Sequence, residues 1–164
     1  NKDRGIELMI ESMKNVDAKL YIVGGGDLLE SVIEYAENLN LMDKIIFFGK
    51  IPFEELFDIT KTVDLGLSFE LDSCLAYRYS LPNKIFDYIN AEVPVLVSAL
   101  PEFKKIIHNY PVGEVLISRD VNIVANQINK ILGFKKSKWS KALLKAKNQY
   151  CWENQEKKLL SFFD

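Results

Sequence analysis

The sequence predicts an α/β fold of the Rossmann type, a doubly wound parallel sheet of about five or six strands with helices on both faces. Three observations support this prediction. The hydrophobic pattern alternates between strand-like runs and helical periods. Each predicted strand is short and is followed by a helix, as in βαβ units. The 164 residues, 48% hydrophobic and 27% charged, fit a single domain spanning 1–164 with an ordinary core.

The first half of the chain contains three predicted strands. The elements follow in the order helix 6–13, strand 19–23, helix 28–39, strand 44–48, helix 53–60 and strand 63–67. The strand over 19–23 ends at three consecutive glycines, and we expect Asp27 to cap the helix that follows. Apolar residues in that helix recur at spacings of three and four, which predicts one buried face.

The second half begins with a long irregular segment over 68–81, in which polar, aromatic and small residues are mixed. A compact domain normally keeps such a loop only for function. Pro82 suits the first residue of the next helix because its fixed φ matches that position. We expect Asp120 to cap a later helix. The remaining elements are helix 83–90, strand 94–98, helix 101–108, strand 114–117, helix 121–132 and two further helical segments.

Charge and composition exclude several classes of partner. Lys and Arg total 21 against 23 for Asp and Glu, so the net charge of −2 predicts no nucleic-acid partner. No apolar run approaches the ~20 residues that span a bilayer, so we expect no transmembrane helix and no signal peptide. Cys74 and Cys151 lie far apart and have no metal-type spacing. These features predict a reduced, cytoplasmic chain without a metal site.

One basic segment, 135–147, interrupts this neutrality with six lysines around Trp139. The first interpretation is a solvated helix face. The alternative is peripheral contact with an anionic membrane at its inner, cytoplasmic surface, because basic clusters are attracted to acidic lipid at ~1 kcal/mol per residue.

The glycines at 24–26 lie between a predicted strand and a predicted helix, which invites a dinucleotide-binding interpretation. Leu29 occupies the position where that fingerprint requires a small residue, so NAD or FAD binding is not favoured. Two interpretations stay open. The glycines either allow a tight turn or leave bare amides that receive an anionic or hydroxyl-rich ligand at a helix N-terminus.

The segment 80–95 carries the strongest sequence signal. The long loop enters a helix at Ser80 to Lys84, where free N–H groups and the positive end of the helix dipole favour a diphosphate. Lys84 adds a point charge there. Asp87 lies one turn further on the same face, where a carboxylate can accept hydrogen bonds from sugar hydroxyls such as those of a ribose. The alternative is an ordinary capped helix whose Lys84 and Asp87 are solvated.

Six segments, in order and spacing, are similar to motifs of one known family. Asp3-Arg4-Gly5 resembles a Glu-Lys-Gly segment, 20–26 a strand ending in Gly-x-Gly, and 87–95 a helix-to-strand signature ending in Pro-Val. Segments 46–51, 63–68 and 151–153 also match. The chain thus resembles the family 4 (group 1) retaining glycosyltransferases of the GT-B fold, over their C-terminal, donor-binding domain.

The resemblance implies a nucleotide-sugar substrate, UDP- or GDP-linked, with no cofactor and no metal. It implies roles for particular residues, although it assigns no catalytic residue. These are Arg4, Ser80, Asn83 and Lys84 at the donor diphosphate, Asp87 at the ribose, Lys50 and Ile51 at the base, and Gly25, Gly26, Glu70 and Tyr79 as candidates for the sugar.

The chain departs from the family pattern at three positions. Tyr79 stands where the first glutamate of the E-x7-E motif belongs, the second is shortened to Asp87, and Glu92 replaces a glycine before Pro94. Glu70 or Asp72 is a candidate to replace the missing glutamate, and the hydroxyl of Tyr79 is a further candidate.

The resemblance implies the donor domain of a hexosyltransferase in polysaccharide or glycolipid synthesis. Its N-terminal acceptor domain would lie outside this chain, and we expect the domain alone to be inactive. Two alternatives are a nucleotide-sugar epimerase of the same architecture and a nucleotide-binding module without catalysis, which Tyr79 favours.

Overall fold

The computed structural model describes residues 3–161, with the backbone only at 157 and 158. In this part of the chain five strands alternate with helices. In chain order the elements are α1 (Ile6–Ser12), a 3₁₀ turn (Met13–Asn15), β1 (Leu20–Val23), α2 (Leu29–Asn38), β2 (Ile45–Gly49), α3 (Phe53–Thr62), β3 (Gly66–Ser68), α4 (Leu75–Arg78), α5 (Lys84–Asn90), β4 (Val95–Val97), α6 (Pro101–Asn109), β5 (Gly113–Val115), α7 (Val121–Leu132), α8 (Ser137–Tyr150) and α9 (Trp152–Leu160).

The strands form two parallel sets. β1 pairs with β2, with Leu20 opposite Ile45. In the second set β4 lies between β3 and β5, and Val95 is opposite both Gly66 and Gly113. These parallel pairings confirm the predicted α/β class. Among residues 3–161, β1 and β3 do not pair with each other, so the sheet is divided between them.

Apolar strands and helix faces form the core. The three residues of β4 have no exposed surface, as expected for a parallel strand covered on both faces. α1 packs against α7, and α5 packs against α8. At the second of these contacts the rings of Phe86 and Tyr150 have centroids 5.2 Å apart. Trp139 of α8 is 5% exposed, so the lysine-rich helix docks firmly through its apolar side.

Helix caps and the long loop differ in part from the sequence prediction. The Asp120 cap is confirmed, because its carboxylate accepts hydrogen bonds from the backbone N–H of Asn122 and Ile123 at 3.0 and 3.1 Å. The Asp27 cap is wrong, because α2 begins at Leu29 and no side chain caps it. The segment 68–81 contains one turn of helix, α4, which periodicity cannot detect at that length.

The turn at Glu92 shows why the family pattern has glycine there. Glu92 has a φ of +59°, a left-handed conformation that costs a residue with a Cβ roughly 1–2 kcal/mol. Its carboxylate contacts Lys147 Nζ at 2.7 Å, an exposed ion pair that contributes little. The chain therefore keeps a strained turn between α5 and β4.

Replacing Glu92 tests this strain. We expect Glu92→Gly to be more stable than Glu92→Ala by about 1 kcal/mol, because both variants lose the ion pair and only glycine relieves the backbone. Urea unfolding of the two variants measures the difference. Equal stabilities would show that the turn is not strained.

Candidate functional site

The carboxyl ends of β1 and β3 open on one groove of about 760 Å³. The rule for open parallel sheets places ligands at this edge. Of the residues predicted from the sequence, the structure brings five to this groove: Arg4, Gly25, Gly26, Lys84 and Asp87. They come from three separate segments of the chain, so the fold itself assembles them.

Glu70 is the centre of the charged cluster at this groove. Its Oε1 contacts Lys84 Nζ at 2.8 Å and Arg4 Nη1 at 3.4 Å. Its side chain has no exposed surface, whereas those of Arg4 and Lys84 are 39% and 40% exposed. Glu70, which the sequence suggested for the sugar, therefore contacts two of the cations predicted for the diphosphate.

The surroundings of Glu70 hold it ionised. Burial acts to raise the pKa of the carboxyl, but the charge of Lys84 and the hydrogen bonds from Lys84 and Ser68 outweigh burial and leave the pKa below its ordinary value. Ser68 Oγ donates to Glu70 Oε2 at 2.7 Å, and Ser98 Oγ donates to the Glu70 carbonyl at 2.6 Å. A fixed negative charge therefore lies beneath Arg4 and Lys84.

The loop that carries Arg4 packs directly against this cluster. Gly5 has a φ of +68°, and a Cβ there would lie 2.2 Å from the carbonyl oxygen of Phe69. Only glycine permits this approach. Arg119 Nη2 donates to the same Phe69 carbonyl at 3.1 Å. No sequence motif indicated Arg119 or Ser98, because their roles depend on contacts between distant segments.

Asp87 lies on α5 and is half-buried at the groove. Burial raises the pKa of its carboxyl above the ordinary value. Among the side chains that the structure describes, none hydrogen-bonds to this carboxylate, which leaves its oxygens available to accept from a ligand. Asp87 differs in this respect from Glu70, whose oxygens are occupied.

Ser80, another of the diphosphate candidates, borders a pocket together with Arg4. A second pocket of about 230 Å³ is bordered by Arg4, Tyr77, Ser80 and their neighbours. The guanidinium of Arg4 lies 5.8 Å from the centre of the Tyr77 ring. Ser80 Oγ donates to the Tyr77 carbonyl at 2.9 Å, and Asn83 immediately precedes α5. Arg4 therefore joins the two pockets.

The candidates for the missing glutamate differ in their surroundings. Tyr79 is 61% exposed in the loop after α4. Asp72 is held by Arg78, whose Nε donates to its two carboxylate oxygens at 2.9 and 3.1 Å. Tyr79 is thus the less constrained of the two.

The predicted base contacts follow β2. Lys50 is exposed and Ile51 half-buried, and neither is among the residues that border the groove. The aliphatic chain of Lys50 lies against Gly25, where an added Cβ would come within 3.1 Å of it. Phe53, which the sequence did not single out, borders the groove, is 62% exposed and stacks on Phe57 at 6.4 Å.

Comparison with known proteins identifies the family. The sequence model of the glycosyl transferases group 1 matches residues 1–142. The chain belongs to this family. The match confirms the resemblance to the group 1 glycosyltransferases that the sequence motifs predicted. A search of curated protein sequences finds no match.

Solved glycosyltransferases share the fold of this group 1 domain. It resembles a glycosyltransferase from Rickettsia africae (TM-score 0.78, 19% identity, 99% of this chain and 44% of the other). It also resembles a sucrose-phosphate synthase from Thermosynechococcus elongatus (TM-score 0.75, 19% identity, 99% of this chain and 42% of the other). A third similar structure is WaaG, a glycosyltransferase involved in lipopolysaccharide biosynthesis (TM-score 0.68, 17% identity, 90% of this chain and 39% of the other). These likenesses confirm the Rossmann-like GT-B architecture.

The group 1 domain is shorter than these proteins. It spans 39% of the WaaG chain and 42% of the synthase chain. Within residues 3–161, no helix is long and apolar enough to cross a membrane. In the same residues, no three His, Cys, Asp or Glu side chains are placed to hold a metal ion.

Proposed function

We propose that this domain binds the nucleoside-diphosphate sugar donor of a retaining glycosyltransferase. The observation that carries the proposal is the pair of cations, Arg4 and Lys84, that contact one buried carboxylate oxygen and remain partly exposed at the groove. Lysine has three N–H donors and arginine five. The contacts to Glu70 occupy only a fraction of them, so the remaining donors are available to a diphosphate.

Asp87 supports a nucleotide rather than a simple phosphate ligand. Its unoccupied carboxylate lies one helical turn beyond Lys84, at the spacing where side chains on a helix become neighbours. A ribose attached to the diphosphate would offer its hydroxyls to this carboxylate. The base would lie toward Lys50, Ile51 and Phe53, and the donor is UDP- or GDP-linked.

The transferred sugar would lie near Gly25, Gly26 and Tyr79. Breaking the bond between sugar and diphosphate leaves negative charge on the leaving group, which Arg4 and Lys84 would stabilise. Ser80 and Asn83 would complete the diphosphate contacts at the loop before α5. The domain supplies the donor half of the reaction. We propose that a separate acceptor domain of the full-length protein completes the site, without a metal or cofactor.

The ionisation of Asp87 gives a testable pH dependence. Burial raises its pKa, so the ionised form that accepts ribose hydrogen bonds is lost at a higher pH than for an exposed aspartate. We expect UDP affinity to fall as the pH decreases through this raised pKa. The Asp87→Asn variant provides the baseline for the pH profile. It retains every other titratable group of the protein, and the nucleotide titrates in the same way. Parallel pH profiles of the two proteins would contradict the role of Asp87.

The reaction itself is tested on the full-length protein. We expect a new glycosidic product when it is given a UDP- or GDP-sugar and a lipid-linked or saccharide acceptor. Interconversion of free nucleotide-sugars without transfer would instead indicate an epimerase. Binding without either reaction would indicate the non-catalytic module, which the exposed Tyr79 favours as the second candidate.

The cellular role follows from the same proposal. We propose synthesis of a polysaccharide or glycolipid at the cytoplasmic side of a membrane. On α8 the lysines at 138, 141 and 145 are exposed, and Leu144 is 52% exposed beside them. This surface fits peripheral contact with acidic lipid.

A further inference from the structure

The segment that carries Glu70 lies just beyond the ladder of β3. The last paired residue of β3 is Ser68, opposite Val97, and the Ser68 carbonyl accepts from the Ser98 N–H at 2.9 Å. Phe69 and Glu70 follow, and among residues 3–161 their carbonyl groups take no part in a strand ladder. Because polar backbone groups next to a core need partners, side chains from other segments must hold this backbone.

Two side chains hold the carbonyl groups of this segment. The Ser98 hydroxyl donates to the Glu70 carbonyl at 2.6 Å, and Arg119 Nη2 donates to the Phe69 carbonyl at 3.1 Å. Nη1 of the same guanidinium lies 3.5 Å from Ser98 Oγ. Arg119 therefore contacts both the backbone before Glu70 and the hydroxyl that holds the Glu70 carbonyl.

Arg119 also packs against the loop that carries Arg4. A Cβ added at Gly5 would lie 3.0 Å from Arg119 Nη2, so the guanidinium lies close to the Gly5 backbone. Arg4 is the preceding residue, and its Nη1 contacts Glu70 Oε1 at 3.4 Å. A single side chain thus touches the backbone next to both members of the Arg4–Glu70 ion pair.

The chemistry of arginine suits this position. Its planar guanidinium has five N–H donors in a fixed geometry, and it stays charged at every pH at which the protein is folded. Arg119 is itself exposed, so burial in the core does not explain where its side chain lies. The next residue, Asp120, caps α7, which fixes the backbone from which Arg119 extends.

The position of Glu70 decides where the two cations of the site lie. Lys84 Nζ and Arg4 Nη1 contact the same Glu70 oxygen at 2.8 and 3.4 Å, although their like charges repel each other. The buried carboxylate offsets this repulsion. A displaced Glu70 would let the cations separate, and a diphosphate would then lose affinity because binding would have to bring them together again.

We infer that Arg119 is a positioning residue for the donor diphosphate: it holds the backbone at Phe69 and thereby keeps Glu70 beneath Arg4 and Lys84. This inference rests on the proposed function. It adds a residue that is not among those bordering the groove, so Arg119 acts on the ligand through its contacts with the cluster.

A double-mutant cycle on the full-length protein tests this inference. We expect Arg119→Met to weaken the binding of UDP or GDP, whichever the native protein binds, by about tenfold. This is the lower end of the loss, about 10–100-fold, that follows removal of an orienting partner at metal sites. The affinity for the free nucleoside should stay unchanged. In the Glu70→Gln background the same substitution should weaken diphosphate binding by less than about twofold, because the charge that Arg119 positions is already absent.

Two results would overturn the inference. An equal loss of diphosphate affinity in both backgrounds would show that Arg119 acts without Glu70. An Arg119→Met protein that is less stable but binds the diphosphate as tightly as the native protein would show a purely structural role. Lys130→Met is the matched control, because it removes a cation that contacts Glu114 Oε1 at 2.8 Å and does not border the groove. It should change neither affinity.

The stability of the free protein separates this inference from the proposed function. If the native protein binds neither nucleotide, the proposed function fails, and urea unfolding still tests Arg119. We expect Glu70→Gln to lower the urea midpoint at neutral pH, and to lower it less than about half as much in the Arg119→Met background, because residues that act together are not additive. Equal shifts in the two backgrounds would show that Arg119 does not position Glu70.

Discussion

Replacing Lys84 by methionine should weaken UDP or GDP binding by about 30-fold, and it should leave the affinity for the free nucleoside unchanged. The ammonium contacts Glu70 Oε1 at 2.8 Å and is 40% exposed at the groove, so it can reach a phosphate without moving away from its partner. Hydrogen bonds to charged groups are worth about 1.5–3 kcal/mol, and the expected loss corresponds to about 2 kcal/mol within that range. Methionine keeps the length of the side chain and removes only the charge and the donors.

Two comparisons make the Lys84 result specific. Lys104→Met removes an exposed lysine of α6, away from the groove, and should change neither affinity. Asp87→Asn should weaken the binding of nucleoside and of nucleoside diphosphate by a similar factor, because it removes a contact to the ribose that both ligands contain. NMR titration of the full-length variants with uridine and UDP, or with guanosine and GDP, gives the nucleoside and the nucleoside diphosphate affinity of each protein. A Lys84→Met protein that loses nucleoside and diphosphate binding equally would contradict a phosphate contact.

Replacing Glu70 by glutamine should destabilise the domain by about 2 kcal/mol at neutral pH. The change keeps the shape of the side chain but removes a buried charge that accepts from Ser68 and contacts Lys84 and Arg4. Breaking a fully buried ion pair costs about 3–5 kcal/mol. Because both cations are partly exposed and water screens them, we expect a smaller loss.

The pH dependence distinguishes the charge of Glu70 from its packing. The pKa of native Glu70 is lowered, so the ionised carboxylate stabilises the fold above the pKa of the unfolded chain. This contribution is lost as the pH falls through the native pKa. We therefore expect the unfolding free energies of the native protein and Glu70→Gln, measured in urea at several pH values, to converge in acid.

The pair of Asp72 and Arg78 provides the matched control for Glu70. It is also a carboxylate–arginine contact, at 2.9 Å, but its side chains are 45% and 47% exposed. Asp72→Asn should therefore leave the stability nearly unchanged, because water screens this exposed pair. A Glu70→Gln protein as stable as Asp72→Asn at neutral pH would show that the buried carboxylate does not organise the cluster.

Sequence periodicity predicted the strands and most helices because their apolar residues repeat locally. The Asp120 cap was predictable for the same reason, since it contacts the two nearby N–H groups of Asn122 and Ile123. Asp27 failed as a cap because the glycines before it extend the turn and α2 begins later, at Leu29. The fold class depended on many residues and was robust to such local errors.

The site was predictable only in part, for a physical reason. Lys84 and Asp87 belong to one short helix, so their spacing along the chain already indicates a shared face. Glu70 is separated from Arg4 by 66 residues, and its burial depends on Ser68, Ser98 and the loop of Gly5. The division of the sheet was likewise not visible, because periodicity does not reveal which strands are neighbours.

Titration calorimetry of the full-length protein with UDP and GDP, before and after Asp87→Ala, tests whether the groove binds the nucleotide of the donor. We expect one of the two nucleotides to bind at a single site and the substitution to lower its affinity at least tenfold, about 1.4 kcal/mol. Alanine at 87 leaves Arg4, Lys84 and Glu70 in place. If neither nucleotide binds, or if Asp87→Ala leaves the affinity unchanged, the groove is not the proposed donor site.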